Sequence, residues 1–435
     1  MGRGYSAGLG IGSSILVGVA LALAQSSFHD EVANLRSPNV GTRVKAAKAL
    51  GKSGRPEAIP ALTEAMRDPE PKVRKVTVEV LRGFNSTEAI DGLLVGLGDE
   101  EKSIREEAMV GLVEIYVGAG NASLGGALSF LIGPRSQTPR LEGLLAVDPR
   151  VVTAFEGSLQ DREPGLRRRA AYSLGVLGAQ DAVDSLGAAL YDPDKDVRLA
   201  IVEALGNIGT DEAGEALRAL LKENPSELTG PVVDSVGAMR YLPAAPELVS
   251  IYDSNVNKLG DRALAALARM GAPEARGVFY YQMTSQDANQ RRWAVEGLGR
   301  LDDPALVPGL MKDFLREPDP SVQLAYCFSL ARLGRAEFID RVALSLADKQ
   351  LREQAHQYAV ELGSPLLEEL VTYLSDPVVE VRKEMALVLM EIGDPAAIPY
   401  LEPLLSDPDR EVADRANRAI AHLQQGRRSA SSTNP

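Results

Sequence analysis

From Ser37 to Leu423 the chain repeats itself at a period of roughly 31 residues, and that repetition constrains its fold more than any other feature. The clearest copy runs from Asp192 to Gly209. Asp192 is placed to cap a helix, and Pro193 suits a first helical position, where a missing N–H costs nothing. Val197, Ile201, Leu205 and Ile208 then follow at helical spacing and make one apolar face. Gly206 and Gly209 are expected to let this helix stop and turn, and a second, shorter helix is expected over Asp211–Lys222. One such pair cannot bury its apolar face alone and needs copies of itself on either side.

The copies are present. Asp68-Pro69 leads to Val73-Arg74, Asp99 to Ile104-Arg105, Asp161 to Leu166-Arg167, Asp376-Pro377 to Val381-Arg382 and Asp407-Pro408 to Val412. Three positions after the Arg slot the residue is small or apolar, as at Ala46, Ala108, Ala170, Ala294 and Met385. Weaker copies start near Ser37, Asn224, Asp253, Gln286, Pro318 and Asp348, which makes about twelve repeats. This pattern resembles the HEAT repeat, and most closely the subtype named after the phycobilisome lyases. The resemblance implies an all-α fold, a right-handed α-solenoid of about twelve helix pairs, with a concave surface that binds a partner protein. It says little about activity.

Residues 1–24 stand outside the repeats. A lone Arg3 precedes an apolar run over Leu9–Ala24, and Ala22-Leu23-Ala24 puts small residues where a signal peptidase needs them. The expectation is export with cleavage before Gln25, to the periplasm or beyond; the alternative is an uncleaved membrane anchor. Residues 25–423 are then the solenoid, and the polar residues 424–435 a disordered tail. The net charge of −13 argues against nucleic acid as a partner. Arg167-Arg168-Arg169 is the basic run that stands out, and reads as one repeat Arg with two solvated neighbours. Cys327 is the one cysteine and lies among apolar neighbours, as a buried structural thiol would.

The third repeat is interrupted. Its second helix is expected only at about Pro149–Leu159, so residues 118–147 insert about one extra period. Either the insert is a degenerate repeat whose apolar residues pack on the stack, or Phe130 and Leu131 within it are contact candidates for a partner protein or a membrane surface. Repeats six to ten drift from the pattern and gain aromatic residues. Phe279-Tyr280-Tyr281 are consecutive on a helix, so they cannot all be buried. Trp293, the single tryptophan, falls at a position that is mostly polar in other repeats. These four residues are the candidate protein-binding patch.

No catalytic constellation is legible. The recurring Asp and Arg occur in nearly every repeat, whereas an active site occurs once. The histidines, at 29, 356 and 422, are far apart along a stack in which only neighbouring repeats should touch. The HEAT-like deoxyhypusine hydroxylases hold iron with paired His-Glu motifs, and no His-Glu dipeptide occurs here. The bilin lyases offer no catalytic motif that matches. The reading is therefore a non-enzymatic scaffold with no cofactor or metal and one unidentified protein partner. Membrane contact would come only through the insert or an uncleaved N-terminal segment. A lyase- or hydroxylase-like enzyme is the rival class.

Overall fold

The repeats fold as stacked pairs of helices because each amphipathic helix buries its apolar stripe against its own partner and against the repeats on either side. A computed structural model describes residues 27–118, 146–223, 227–254 and 258–432, and contains helices and no strand among them. Contacts divide the chain into two compact units, Met1–Ala204 and Leu205–Pro435.

In the first unit a short helix α1 over residues 27–34 covers the start of the stack. Four pairs follow: α2 (Val40–Ser53) with α3 (Ile59–Ala65), α4 (Pro71–Phe84) with α5 (Ile90–Leu97), α6 (Lys102–Gly118) with α7 (Pro149–Ser158), and α8 (Pro164–Val176) with α9 (Val183–Ala189). The division between units falls inside α10 (Lys195–Ile208). The second unit continues with α11 (Asp211–Glu223), then α12 (Thr229–Ala238) with α13 (Ala245–Ser254), and α14 (Lys258–Met270) with α15 (Arg276–Gln282). Next come α16 (Ala288–Gly299) with α17 (Val307–Phe314), and α18 (Pro320–Arg332) with α19 (Ile339–Leu344). It ends with α20 (Arg352–Leu362) and α21 (Leu367–Leu370), α22 (Val379–Ile392) and α23 (Ile398–Leu401), and α24 (Arg410–Ser432). Within each unit the first helices of successive repeats pack on one another, and the shorter second helices form a parallel layer.

The recurring Asp does a different job from the one its position suggests. Asp192 does not cap α10, which starts three residues later; Asp194 does, accepting from the amides of Asp196 at 2.9 Å and Val197 at 3.2 Å. Pro193 accordingly precedes the helix. Asp192 instead accepts from the Asp194 amide at 2.8 Å, which shapes the entry turn, and takes the guanidinium of Arg167 at 2.6 Å. The same arrangement joins Arg43 to Asp68, Arg74 to Asp99 and Arg382 to Asp407, each 25 residues apart. Each Arg also donates back to its own entry turn, as Arg167 does to the Asp161 carbonyl at 2.9 Å. The planar fork thus ties one repeat's turn to the next repeat's carboxylate.

Arg105 shows what the insert does to the stack. Its partner is Asp161, 56 residues on, at 2.7 Å. The pairing skips one period, so repeats three and four stack as if nothing lay between α6 and α7. The Tyr116 hydroxyl accepts from the Asp148 amide at 3.1 Å and draws the two ends of the insert together. Phe130 and Leu131 lie outside the described residues, as do the apolar run and cleavage motif of residues 1–24.

One further expectation is corrected. Gly206 does not end α10; it lies inside the helix, where a Cβ would come 3.0 Å from the Ser235 Cβ and 2.9 Å from its hydroxyl. Only a residue without a side chain lets the adjacent first helix approach this closely. Gly209, with φ at 70°, ends the helix as expected. At the other end, α24 is described as far as Ser432. Gln424, Gln425, Arg427, Arg428 and Ala430 are all helix formers, and no proline occurs before Pro435.

Candidate functional site on repeats seven to ten

Phe279, Tyr280 and Tyr281 point in different directions from α15. Phe279 is fully buried, with its ring seated over Gly297 of α16, where a Cβ would lie 2.6 Å from the ring. It is a core residue, and its burial removes it from the contact surface. Tyr280 and Tyr281 are 50% and 73% exposed. The hydroxyl of Thr284 donates to the Tyr281 carbonyl at 3.0 Å and pins the end of that helix. Trp293 is half-buried on α16, in the layer of first helices rather than that of the tyrosines. Its recorded ring partner is the Arg292 guanidinium, 5.8 Å from the ring centroid. The candidate patch therefore separates into an exposed tyrosine pair on one layer and a Trp–Arg pair on the other.

The first-helix layer holds a polar cluster that the sequence pattern did not reveal. Arg300, at the end of α16, makes two parallel bonds to Glu361 of α20, at 2.8 and 2.9 Å, across the intervening repeat. Arg240 reaches the same carboxylate at 3.1 Å from the turn after α12, and Arg332 of α18 lies 3.7 Å from it. Arg300 also donates to the Ala268 carbonyl at 3.2 Å and to Glu296 at 3.2 Å. The Tyr358 hydroxyl donates to Glu296, and the Tyr358 ring stacks on Phe328 with centroids 4.4 Å apart. The expectation that only neighbouring repeats touch fails here, because these long side chains reach past α18. Phe328 of α18 lies against them: the Arg300 guanidinium is 5.0 Å from its ring centroid, on which Tyr358 also stacks.

The electrostatics of the cluster follow from burial and pairing. Burial alone would raise the Glu361 carboxyl; the bonds from Arg300, with the charges of Arg240 and Arg332, more than offset it and hold the group below the ordinary range. Burial pushes the Tyr358 phenol well up, with the neighbouring Glu296 charge adding to the effect. Burial also pushes the Cys327 thiol up to about 11, as suits an inert core cysteine. These are paired charges and shielded donors, and networks of this kind rigidify the layer that holds them. Among the described residues no group of three or more His, Cys, Asp or Glu could hold a metal, and no helix is long and apolar enough to cross a membrane. In the Arg167–169 run, Arg167 belongs to the repeat ladder as read, but Arg168 and Arg169 are half-buried, and Arg168 lies 3.9 Å from Asp196.

A family model described as HEAT repeats matches residues 32–116, 151–237 and 341–421, more than half of the chain. The chain belongs to the HEAT-repeat family. As a member it is an all-α solenoid. The gaps in the match fall on the insert and on residues 238–340, which supply the arginines of the cluster while Tyr358 and Glu361 lie in the matched part. No curated protein sequence matches the chain. Among solved structures, an engineered protein is 18% identical, with 91% of this chain and 98% of that one covered and a TM-score of 0.37. Yeast importin-beta (Kap95p) is 12% identical, with 92% and 57% covered and a TM-score of 0.46. A mutant of Kap121p is 14% identical, with 95% and 46% covered and a TM-score of 0.34. The chain thus spans about half the length of each of these two larger proteins.

Proposed function

We propose that this HEAT-repeat chain is a non-enzymatic scaffold, exported with cleavage before Gln25, that holds a partner protein on its helical surface. The observation that carries the binding reading is the contrast along α15: Phe279 satisfies the core completely, yet Tyr280 and Tyr281 follow it with 50% and 73% of their surface in water. Nothing in the stacking of repeats requires two adjacent exposed rings. Tyrosine supplies contact area at low entropic cost, which suits an interface. Trp293 is the second member of the proposed contact set, on the other helix layer. The Ala22-Leu23-Ala24 motif supports the export reading. The spacing from Asp-Pro to Val-Arg supports assignment of the repeats to the phycobilisome-lyase subtype. That assignment brings no lyase chemistry with it.

The test is capture of partners from the native cell envelope, with wild-type chain and with Tyr280→Ala and Tyr281→Ala variants. Loss of one interfacial ring should weaken binding by about 2 kcal/mol and leave the melting temperature nearly unchanged. Lower stability with undiminished capture would place the rings in a structural role and refute the proposal. Chromophore or metal absorbance in the purified protein would favour the rival enzyme class.

A further inference from the structure

A basic stretch lies near the start of the repeats. Residues 36–82 contain eleven Arg and Lys against five Asp and Glu, in a chain whose net charge is −13. The arginines of the repeat ladder are neutralised by their carboxylates, but the lysines are not. Lys45, Lys48 and Lys52 lie at helical spacing along one exposed stripe of α2, and Lys72 and Lys75 are exposed on α4 beside it. None of the five has an ion pair or side-chain hydrogen bond among the described residues. The acidic residue on the same outward face is Glu79, also exposed.

Other charges of this layer are paired. On α4 itself Arg82 donates to Glu107 at 2.7 Å and Glu114 at 2.6 Å, both on α6. Near the C-terminus Lys383 pairs with Glu411 at 2.8 Å, and Arg415 with Glu384 at 3.1 Å. Like charges at this spacing on one helix repel, so stacking alone gives no reason for the lysine stripe. The stripe also borders a built cavity. A cleft of about 370 Å³ opens between α2 and α4, with Lys48 and Lys52 on one side and Val80 and Phe84 on the other. Its floor includes Gly51, where a Cβ would lie 2.7 Å from Val80, and Gly83, where one would meet open space.

We propose that this cleft binds an acidic polypeptide segment of the partner, with carboxylates on Lys48 and Lys52 and an adjacent apolar side chain against Val80 and Phe84. This rests on the scaffold reading and names the chemistry of what the scaffold holds. The two-sided lining, cationic and apolar, matches a peptide side-chain pair better than a uniform polyanion. The acidic remainder of the chain would oppose an extended anionic surface such as a nucleic acid or a membrane, whereas a short segment feels mainly the local field, within a Debye length of about 8 Å.

The experiment uses the full chain and a short fluorescein-labelled peptide, rich in Glu around a single Leu, read by fluorescence anisotropy at low salt. The wild type should bind the probe with an affinity that falls as salt rises. The Lys48→Glu/Lys52→Glu variant should bind at least about tenfold more weakly, with an unchanged circular dichroism melt. The matched charge control is Lys195→Glu/Lys349→Glu, two exposed lysines in other repeats, which should bind as the wild type does. Equal loss in the control, or no binding by the wild type, would overturn the proposal. So would stronger binding to phosphatidylglycerol vesicles or duplex DNA than to the peptide, abolished by the same variant. Because the probe is read directly, failure here is separate from failure of partner capture by the tyrosine variants.

Discussion

Replacing Gly299 by Ala tests whether glycine sets the distance between first helices. An ideal Cβ at Gly299 of α16 would lie 2.4 Å from the Ser329 hydroxyl, 2.5 Å from its Cβ and 2.7 Å from its Cα, on α18. Non-bonded carbons sit at about 3.5–4.0 Å, so the two backbones must part by about 1 Å. A rotamer change cannot relieve the clash, because the Cα belongs to the facing helix. Separation would also stretch the buried bond from the Ser329 hydroxyl to the Val295 carbonyl, now 2.9 Å. Overpacking of this kind costs about 1–3 kcal/mol, and the higher helix propensity of Ala returns up to about 1 kcal/mol. The expected net loss is about 1–2 kcal/mol, read as a lower urea midpoint by far-UV circular dichroism. Gly309→Ala in α17 is the internal control, since a Cβ there meets nothing within 4 Å. It should stabilise by about 0.4–1 kcal/mol. If Gly299→Ala raised the midpoint as Gly309→Ala does, the close approach would not be what these glycines serve.

Two further outcomes follow from the ladder and the cluster. Arg105→Ala should destabilise by about 3 kcal/mol, because it leaves Asp161, whose side chain is 12% exposed, without its guanidinium; Arg150→Ala, which breaks pairs involving a 61%-exposed side chain, should cost under about 1 kcal/mol in the same urea assay. Similar midpoints for the two variants would show that the pairing across the insert does not hold the stack closed. The second outcome concerns pH. Glu361, Asp192 and Asp407 all titrate below their ordinary values: for Glu361 and Asp192 the Arg bonds outweigh burial, and for Asp407 the bond from Arg382 is the leading cause. A carboxyl depressed in the folded state contributes fully above the unfolded value, and its contribution is lost as pH falls through the depressed one. The urea midpoint should therefore fall below about pH 4.5, and more shallowly in Arg382→Gln. A midpoint that is flat across the acid range would refute the assignment.

The fold was readable because one pattern recurs often enough to average out local ambiguity. The spacing of Val197, Ile201 and Leu205 gave the buried face, and Pro149 gave the resumed second helix after the insert. What the pattern could not give was the partner of each repeated residue. Asp192 and Arg167 are visible as types at fixed intervals, yet that the carboxylate serves the previous repeat's arginine, and not its own helix, is a fact of stacking. Gly206 shows the same limit: a glycine near a helix end looks like a stop signal until the neighbouring helix is known to lie against it. The cluster on Glu361 was hidden for a further reason. Its members come from repeats that are not adjacent, so nearest-neighbour logic never sets Arg240, Arg300 and Glu361 together. The lysine stripe was hidden by averaging, since a chain-wide charge of −13 conceals a basic stretch over residues 36–82 that a windowed count would have found. Repetition makes the scaffold legible in the residues that recur. The surfaces that distinguish this member of the family lie where recurrence is broken: at Tyr280 and Tyr281, at the unpaired lysines, and at the arginines that reach past their neighbours.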